Sequence, residues 1–174
     1  MGTHSVIRLR VYDSNTDEFN TWFNLYNQWD GYPEVVGKEI TKFLSGIKIT
    51  HGFTARDTQR VANGPECLAK QIVGHFYTLQ KVGGSYLYPG TFDMMEEWNY
   101  NVDVITENNE IVLSVYDHNR RVYHGTPEKV LEWCENPNKE TQEDGTLIDD
   151  PIPDERDEQS DRSDSKSAAS DLSR

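Results

Sequence analysis

The run Trp29-Asp30-Gly31-Tyr32-Pro33 constrains this chain more than any other feature. It ends an aromatic-rich, strand-like stretch, turns the backbone, and offers Pro33 as the first residue of a helix. Asp-Gly is a strong turn signal because glycine takes positive φ without steric cost. A proline at the first helical position gives up an N–H that would have no partner there anyway. The expectation is a strand, a tight turn with Gly31 at positive φ, and a helix, in that order.

The flanking patterns agree. Ile7, Leu9 and Val11 alternate with Arg8, Arg10 and Tyr12, the period of a strand with one buried face. After a polar turn at Asp13 to Glu18, residues Phe19 to Trp29 read as its hairpin partner. From Pro33 the spacing becomes helical, with Val36, Ile40, Phe43 and Leu44 on one side and Gly46 past the end, which predicts a helix over 33–45. Residues 47–62 read as a functional loop. A second helix starts at Asn63-Gly64-Pro65-Glu66, with Asn63 or Gly64 as cap, carries Leu68, Ile72, Val73, Phe76 and Leu79, and stops at Gly83-Gly84.

Tyr86 to Gly90 is a short strand closed by a turn. Trp98 to Thr106 then alternates, with Trp98, Tyr100, Val102 and Val104 opposite Asn99, Asn101 and Asp103. Ile111 to Tyr116 and Arg121 to His124 continue as hairpin strands, and Thr126 caps a last helix containing Pro127. Strands arranged in hairpins predict an α+β domain: an antiparallel sheet of five to six strands with two main helices packed on one face. A doubly wound parallel fold would need helical crossovers between strands, which this order lacks.

Composition divides the chain into a compact domain over 1–135 and a tail over 136–174. The domain holds eighteen acidic residues against twelve basic ones, a net of −6, and the tail twelve against five, a net of −7. Rich in Asp, Ser and Pro and poor in large apolar residues, the tail cannot offset the entropy of ordering and is expected to be disordered and acidic. An acidic domain with an acidic tail repels phosphate backbones, and no basic patch interleaved with aromatics occurs, which argues against direct nucleic-acid binding. Two cysteines, Cys67 and Cys134, lie inside apolar helical patterns and suit a reducing compartment. With no bilayer-length apolar run and no signal-peptide pattern, and with Val6 where a myristoylation signal needs Ser or Thr, the chain is expected to be soluble and cytoplasmic, without a membrane partner.

Candidate chemistry is sparse. Asp30, at a strand end beside a helix start, is a candidate acid or nucleophile, with His51 or His75 as its base. Cys67 and His75 share a helix, but eight residues of rise separate them by about 12 Å. The histidines show no metal-ligand spacing, no phosphate-binding glycine loop occurs, and no cofactor is expected. The stronger constellation is aromatic. Trp29, Tyr32, Tyr86, Tyr88, Trp98 and Tyr100 fall near strand ends or on one strand face, and Tyr and Trp combine apolar area with a polar tip suited to an interface or ligand cleft.

Several words together are also familiar: Met1-Gly2-Thr3-His4-Ser5, the Trp29 to Pro33 turn with Gly37, Asn63-Gly64-Pro65-Glu66-Cys67-Leu68-Ala69 running to His75-Phe76, and Tyr86-Leu87-Tyr88-Pro89. Over about residues 1–135 the chain resembles a group of short, largely uncharacterised proteins encoded by phages, prophages and bacteria. It departs from them at His4, where Arg is commoner, and in its long acidic tail. The resemblance implies a compact accessory protein of viral or mobile-element origin, acting in the host cytoplasm, and assigns no activity to any residue.

The leading expectation is a non-enzymatic protein that engages a host protein, interfering with a defence or regulatory system, through Trp29, Asp30, Tyr32, Tyr86 and Tyr88. One alternative is a binder or sponge for a nucleotide-like small ligand, with the aromatics stacking on the base and Arg56 and Arg60 meeting phosphates. Another is a small hydrolase using Asp30 with a histidine. Homo-oligomerisation is left open.

Overall fold

The computed structural model describes residues 2–52, 60–79, 84–92, 94 and 96–137. The expected acidic tail beyond Pro137, Arg56, and the Gly83 helix stop lie outside the described residues.

Strands β1 (Ser5–Asp13) and β2 (Glu18–Asn27) form the opening hairpin, with Ser5 opposite Asn27 and Asp13 opposite Glu18. Its turn is closed by the Thr16 and Asp17 N–H groups donating to Asp13 O, with Asp17 at φ 60°. After the second turn, Pro33–Gly37 winds as a π-type turn, the N–H groups of Gly37 and Lys38 reaching back to Tyr32 O and Pro33 O. It leads directly into α1 (Lys38–Leu44), and Gly46, at φ 76°, ends the helix as expected.

The presumed loop over 47–62 contains structure. Strands β3 (Lys48–Thr50) and β4 (Val61–Asn63) pair in parallel, with Ile49 opposite Ala62, both buried. Asn63 immediately precedes α2 (Gly64–Leu79), and its Oδ1 accepts the Gly52 N–H at 2.6 Å, while Gly64, at φ 77°, makes the bend into the helix. Beyond come β5 (Ser85–Pro89), β6 (Trp98–Ile105), β7 (Glu110–Asp117), β8 (Arg120–Gly125) and α3 (Pro127–Glu135). Thr126 precedes α3, yet its side chain makes no cap bond.

The main sheet has six strands in the order β5-β2-β1-β6-β7-β8. Four of its five pairings are antiparallel, but β1 and β6 run parallel, which corrects the expectation of a wholly antiparallel sheet. The reason is connection length. Two antiparallel groups, β5-β2-β1 and β6-β7-β8, meet at the centre, and the long excursion through α1, α2 and β5 returns the chain to the end where β1 began. Parallel neighbours require such a crossover.

Three helices, not two, bury the sheet's apolar side. Ile7, Leu9, Leu25, Tyr100, Val102, Leu113 and Val115 point into one cluster with Ile40 and Leu44 of α1, Leu68, Ile72 and Phe76 of α2, and Val130 and Cys134 of α3. Burying one such aliphatic side chain contributes about 1.5–3 kcal/mol. α3 is tied to the rest by Trp133 stacking on Tyr123, with ring centres 5.2 Å apart, and by the Lys38–Glu135 ion pair at 3.3 Å. Burial pushes the Cys134 thiol up to about 12, which keeps it protonated at neutral pH.

The Trp29 to Pro33 motif proves to be a device of this core. Asp30, not Gly31, takes positive φ, at 52°, a conformation Asp tolerates better than most residues. Gly31 is needed for space instead, since a Cβ there would lie 2.7 Å from the His4 backbone carbon. Its N–H donates to Thr3 O, and its carbonyl accepts the hydroxyl of buried Tyr100 at 2.8 Å. Gly37 likewise leaves room for the Tyr100 ring, 2.9 Å from where a Cβ would sit.

Candidate functional site

Among the described residues strand β5 is an outer strand of the sheet, paired with β2. Its side chains Tyr86 and Leu87 are 45% and 56% exposed, and Trp29 and Tyr32 follow the end of β2 at 53% and 46%. Tyr86 leans on Tyr26, its cross-strand partner, and its hydroxyl reaches Gln28, the residue before Trp29. The Trp29 ring also rests against Gly2. Tyr88 differs: it is half-buried and stacks on Phe92 with ring centres 4.9 Å apart, bracing the turn after β5. Among the other aromatics singled out from the sequence, Tyr100 is fully buried and Trp98 packs against the core.

The remaining predicted residues are dispersed. Asp30 is exposed in its turn. His75 stacks on Phe43, and its Nε2 lies 2.7 Å from Glu39 Oε1, linking α2 to α1. His51 is exposed beside β3. Among the described residues neither histidine hydrogen-bonds to Asp30, and no cluster of three or more His, Cys, Asp or Glu could hold a metal. Arg60 lies over the Phe43 ring at 5.0 Å, away from the β5 aromatics in sequence and element. No helix of the described residues is long and apolar enough to cross a membrane.

A second constellation lies on the sheet face opposite the helices. Cross-strand register aligns Tyr88, Asn24, Arg8, Asn101, Ser114 and His124, one residue from each of the six strands. Asn24 Nδ2 donates to Pro89 O at 3.1 Å and to Phe92 O at 2.7 Å. Arg8 donates to Asn99 Oδ1 at 2.8 Å and to the Met94 carbonyl. Ser114 Oγ lies 2.9 Å from His124 Nδ1. Two residues along β1 and β6, Arg10 grips Asp103 through Nε and Nη2 at 2.6 and 2.7 Å.

Formal charge on this face comes from Arg8 and from the Arg10–Asp103 pair. Partial burial, followed by nearby Arg121, holds the His124 pKa below the usual imidazole value, so the ring is neutral near pH 7 and can accept the Ser114 hydroxyl proton in a hydrogen bond. At the row's border His4 Nδ1 lies 3.1 Å from the Tyr26 hydroxyl and 3.6 Å from Glu96, whose carboxyl burial shifts upward. Two polar atoms in the row have no partner, Asn24 Oδ1 and Asn101 Oδ1, and their residues are only 1% and 6% exposed.

No protein-family model matches this chain, and no curated protein and no solved structure shows significant similarity to it. The polar row was missed as a site because the alternation Asn99, Asn101, Asp103 reads equally as a solvated strand face. The available signal was the second alternation, Arg8 and Arg10, whose strand had to be paired with the first before a row became visible.

Proposed function

We propose that this is a non-enzymatic accessory protein that binds another protein along the β5 edge. The observation that carries this reading is the gathering of exposed Trp29, Tyr32, Tyr86 and Leu87 at one outer strand and the strand end beside it. An outer strand presents unpaired backbone N–H and C=O groups, which a partner segment can pair with while its side chains meet the aromatics. Large aromatic side chains of this kind are the usual anchors of protein interfaces. The domain's net charge of −6 favours a partner with a basic surface.

The sequence resemblance to phage and prophage proteins supports a host protein as the partner, encountered in the host cytoplasm, with interference in a defence or regulatory system as the outcome. The acidic segment over 136–174 fits a disordered, solubilising extension that adds to the attraction of a basic partner. Asp30 contributes through the turn that presents Trp29 and Tyr32 rather than as a catalytic group.

The test is site-specific photo-crosslinking in host cells. A photoreactive phenylalanine at position 86 or 32 is expected to trap one protein, whereas the same group at position 77, on the exposed outer side of α2, is expected to trap none. Tyr32→Ala with Tyr86→Ala should abolish the crosslinked species from position 29 while leaving the melting temperature nearly unchanged. Equal crosslinking from positions 86 and 77 would remove the β5 edge as the interface.

A further inference from the structure

We propose that segment 145–150, which lies outside the described residues, docks antiparallel along the outer edge of β8 and extends the main sheet by one strand, with Asp149 and Asp150 meeting Arg120 and Arg121. This contact is at the opposite end of the sheet from β5 and does not depend on the reading given to that edge. Among the described residues β8 is the last strand of the sheet, paired with β7, so half of its backbone N–H and C=O groups point outward, the arrangement that invites a further strand. Arg120 is exposed and Arg121 half-buried, and neither forms an ion pair among the described residues, although acidic residues outnumber basic ones by thirty to seventeen in the chain. Charged residues by themselves can guard an edge, but here they are followed by Val122 and Tyr123, both only partly buried and packed against the core.

The complementary pattern occurs once beyond α3. Leu147-Ile148 is the one place in 138–174 where two large apolar residues adjoin, and Asp149-Asp150 follow them directly. Laid antiparallel on β8 with Gly145 opposite Gly125, the segment sets Thr146 at His124, Leu147 and Ile148 at Tyr123 and Val122, and the two aspartates at Arg121 and Arg120. Acid meets base and apolar meets apolar, the kind of cross-strand pairing that stabilises a sheet and fixes its register. Pro151 has no N–H to donate and ends the strand where β8 itself begins. A parallel strand would instead carry the aspartates to the Gly125 end, away from both arginines.

The tether is long enough. Trp133, near the end of α3, stacks on Tyr123 of β8, so the chain leaves the helix beside this strand. Nine residues, 136–144, separate α3 from the segment, and extended they reach about 30 Å, against about 20 Å for the six residues of β8. That suffices to pass along β8 and return antiparallel. A short tether also holds the segment at a roughly millimolar effective concentration, so a contact too weak to form between molecules forms within one. Only about six residues need to be ordered, which keeps the entropy cost small beside that of the whole tail.

The experiment is hydrogen exchange read by mass spectrometry on the full-length chain. Peptides covering 145–150 are expected to exchange at least about tenfold more slowly than the same sequence in a free peptide. Asp149→Lys with Asp150→Lys should restore the free rate there and speed exchange in 120–125, while β1 and β6 keep theirs. Adding Arg120→Asp and Arg121→Asp should bring the protection back, which a purely structural role of the arginines would not. Ile148→Pro, placed beyond α3, should expose 120–125 in the same way and stands as the readout if the charge-swapped chain does not fold. Free-peptide exchange of 145–150 in wild type overturns the proposal, as does unchanged exchange of 120–125 in Ile148→Pro. Protection that fades on dilution gives the edge to a second copy and overturns the intramolecular strand.

Discussion

Tyr100, Val102 and Val104 of β6 are fully buried against the helices, whereas Asn99, Asn101 and Asp103, alternating with them, are almost as inaccessible on the side facing away from α1, α2 and α3. On the first side burial is the gain itself, since apolar surface leaves water. On the second it is a cost that hydrogen bonds must offset, and they do so unevenly. Asp103 is held by a bidentate Arg10 and Asn99 by Arg8, while Asn101 has nothing. Equal inaccessibility thus hides opposite energetics, and substitutions on the two faces should differ in sign as well as size.

The largest effect is expected on the helix side. Leu9→Ala removes a fully buried side chain from the centre of the core and should cost about 2–5 kcal/mol, read from urea unfolding. A loss well under this would mean that the helices repack over the sheet more freely than their contacts imply.

On the polar side the next largest effect follows from breaking a paired charge. Arg10→Met leaves the Asp103 carboxylate buried without its partner, a loss of about 1–3 kcal/mol after allowing for the partial exposure of Arg10. Adding Asp103→Leu to it should recover most of that loss. If the double variant is no more stable than the single one, the ion pair is not what holds β1 to β6 on this face.

The sharpest contrast is Asn101→Leu, expected to raise stability by about 1 kcal/mol because it removes an unsatisfied polar group and substitutes an apolar side chain with the same branching and number of heavy atoms. A fall in melting temperature would show that the amide has partners the geometry does not reveal, and would erase the distinction between Asn101 and its neighbours Asn99 and Asp103.

The smallest effect is a pH slope. The His124 pKa is lowered in the folded state, so the unfolded chain binds more protons, and stability present above the ordinary imidazole value is lost as pH falls through the folded one. Between about pH 7 and pH 5 wild type should therefore lose stability faster than His124→Gln. Glu96 works the other way, since its raised carboxyl is relieved of buried charge as pH falls, so Glu96→Gln should steepen the acid loss. Identical slopes in all three proteins would dissociate the row from any titration.

Much of the fold was legible from local pattern. The alternations at Ile7 to Val11 and Trp98 to Val104 became β1 and β6, Pro33 opened a helix, and Gly46 closed it, because period and turn chemistry act over a few residues. The aromatic edge was partly legible. Trp29, Tyr32 and Tyr86 are exposed as an interface requires, but nothing local distinguished them from Tyr100, whose ring is buried against Gly37. The β3–β4 pair was hidden because three-residue strands carry too little periodicity to read.

By itself, then, the sequence determined which side chains share a face of each strand or helix, since that depends only on backbone period. Which strands became neighbours was decided by the tertiary structure. The parallel β1–β6 pairing, the third helix in the core, and the row from Tyr88 to His124 all depend on contacts between residues far apart in the chain. Those contacts form only when burial of apolar side chains outweighs the entropy of closing long loops, a balance that no short window of sequence contains.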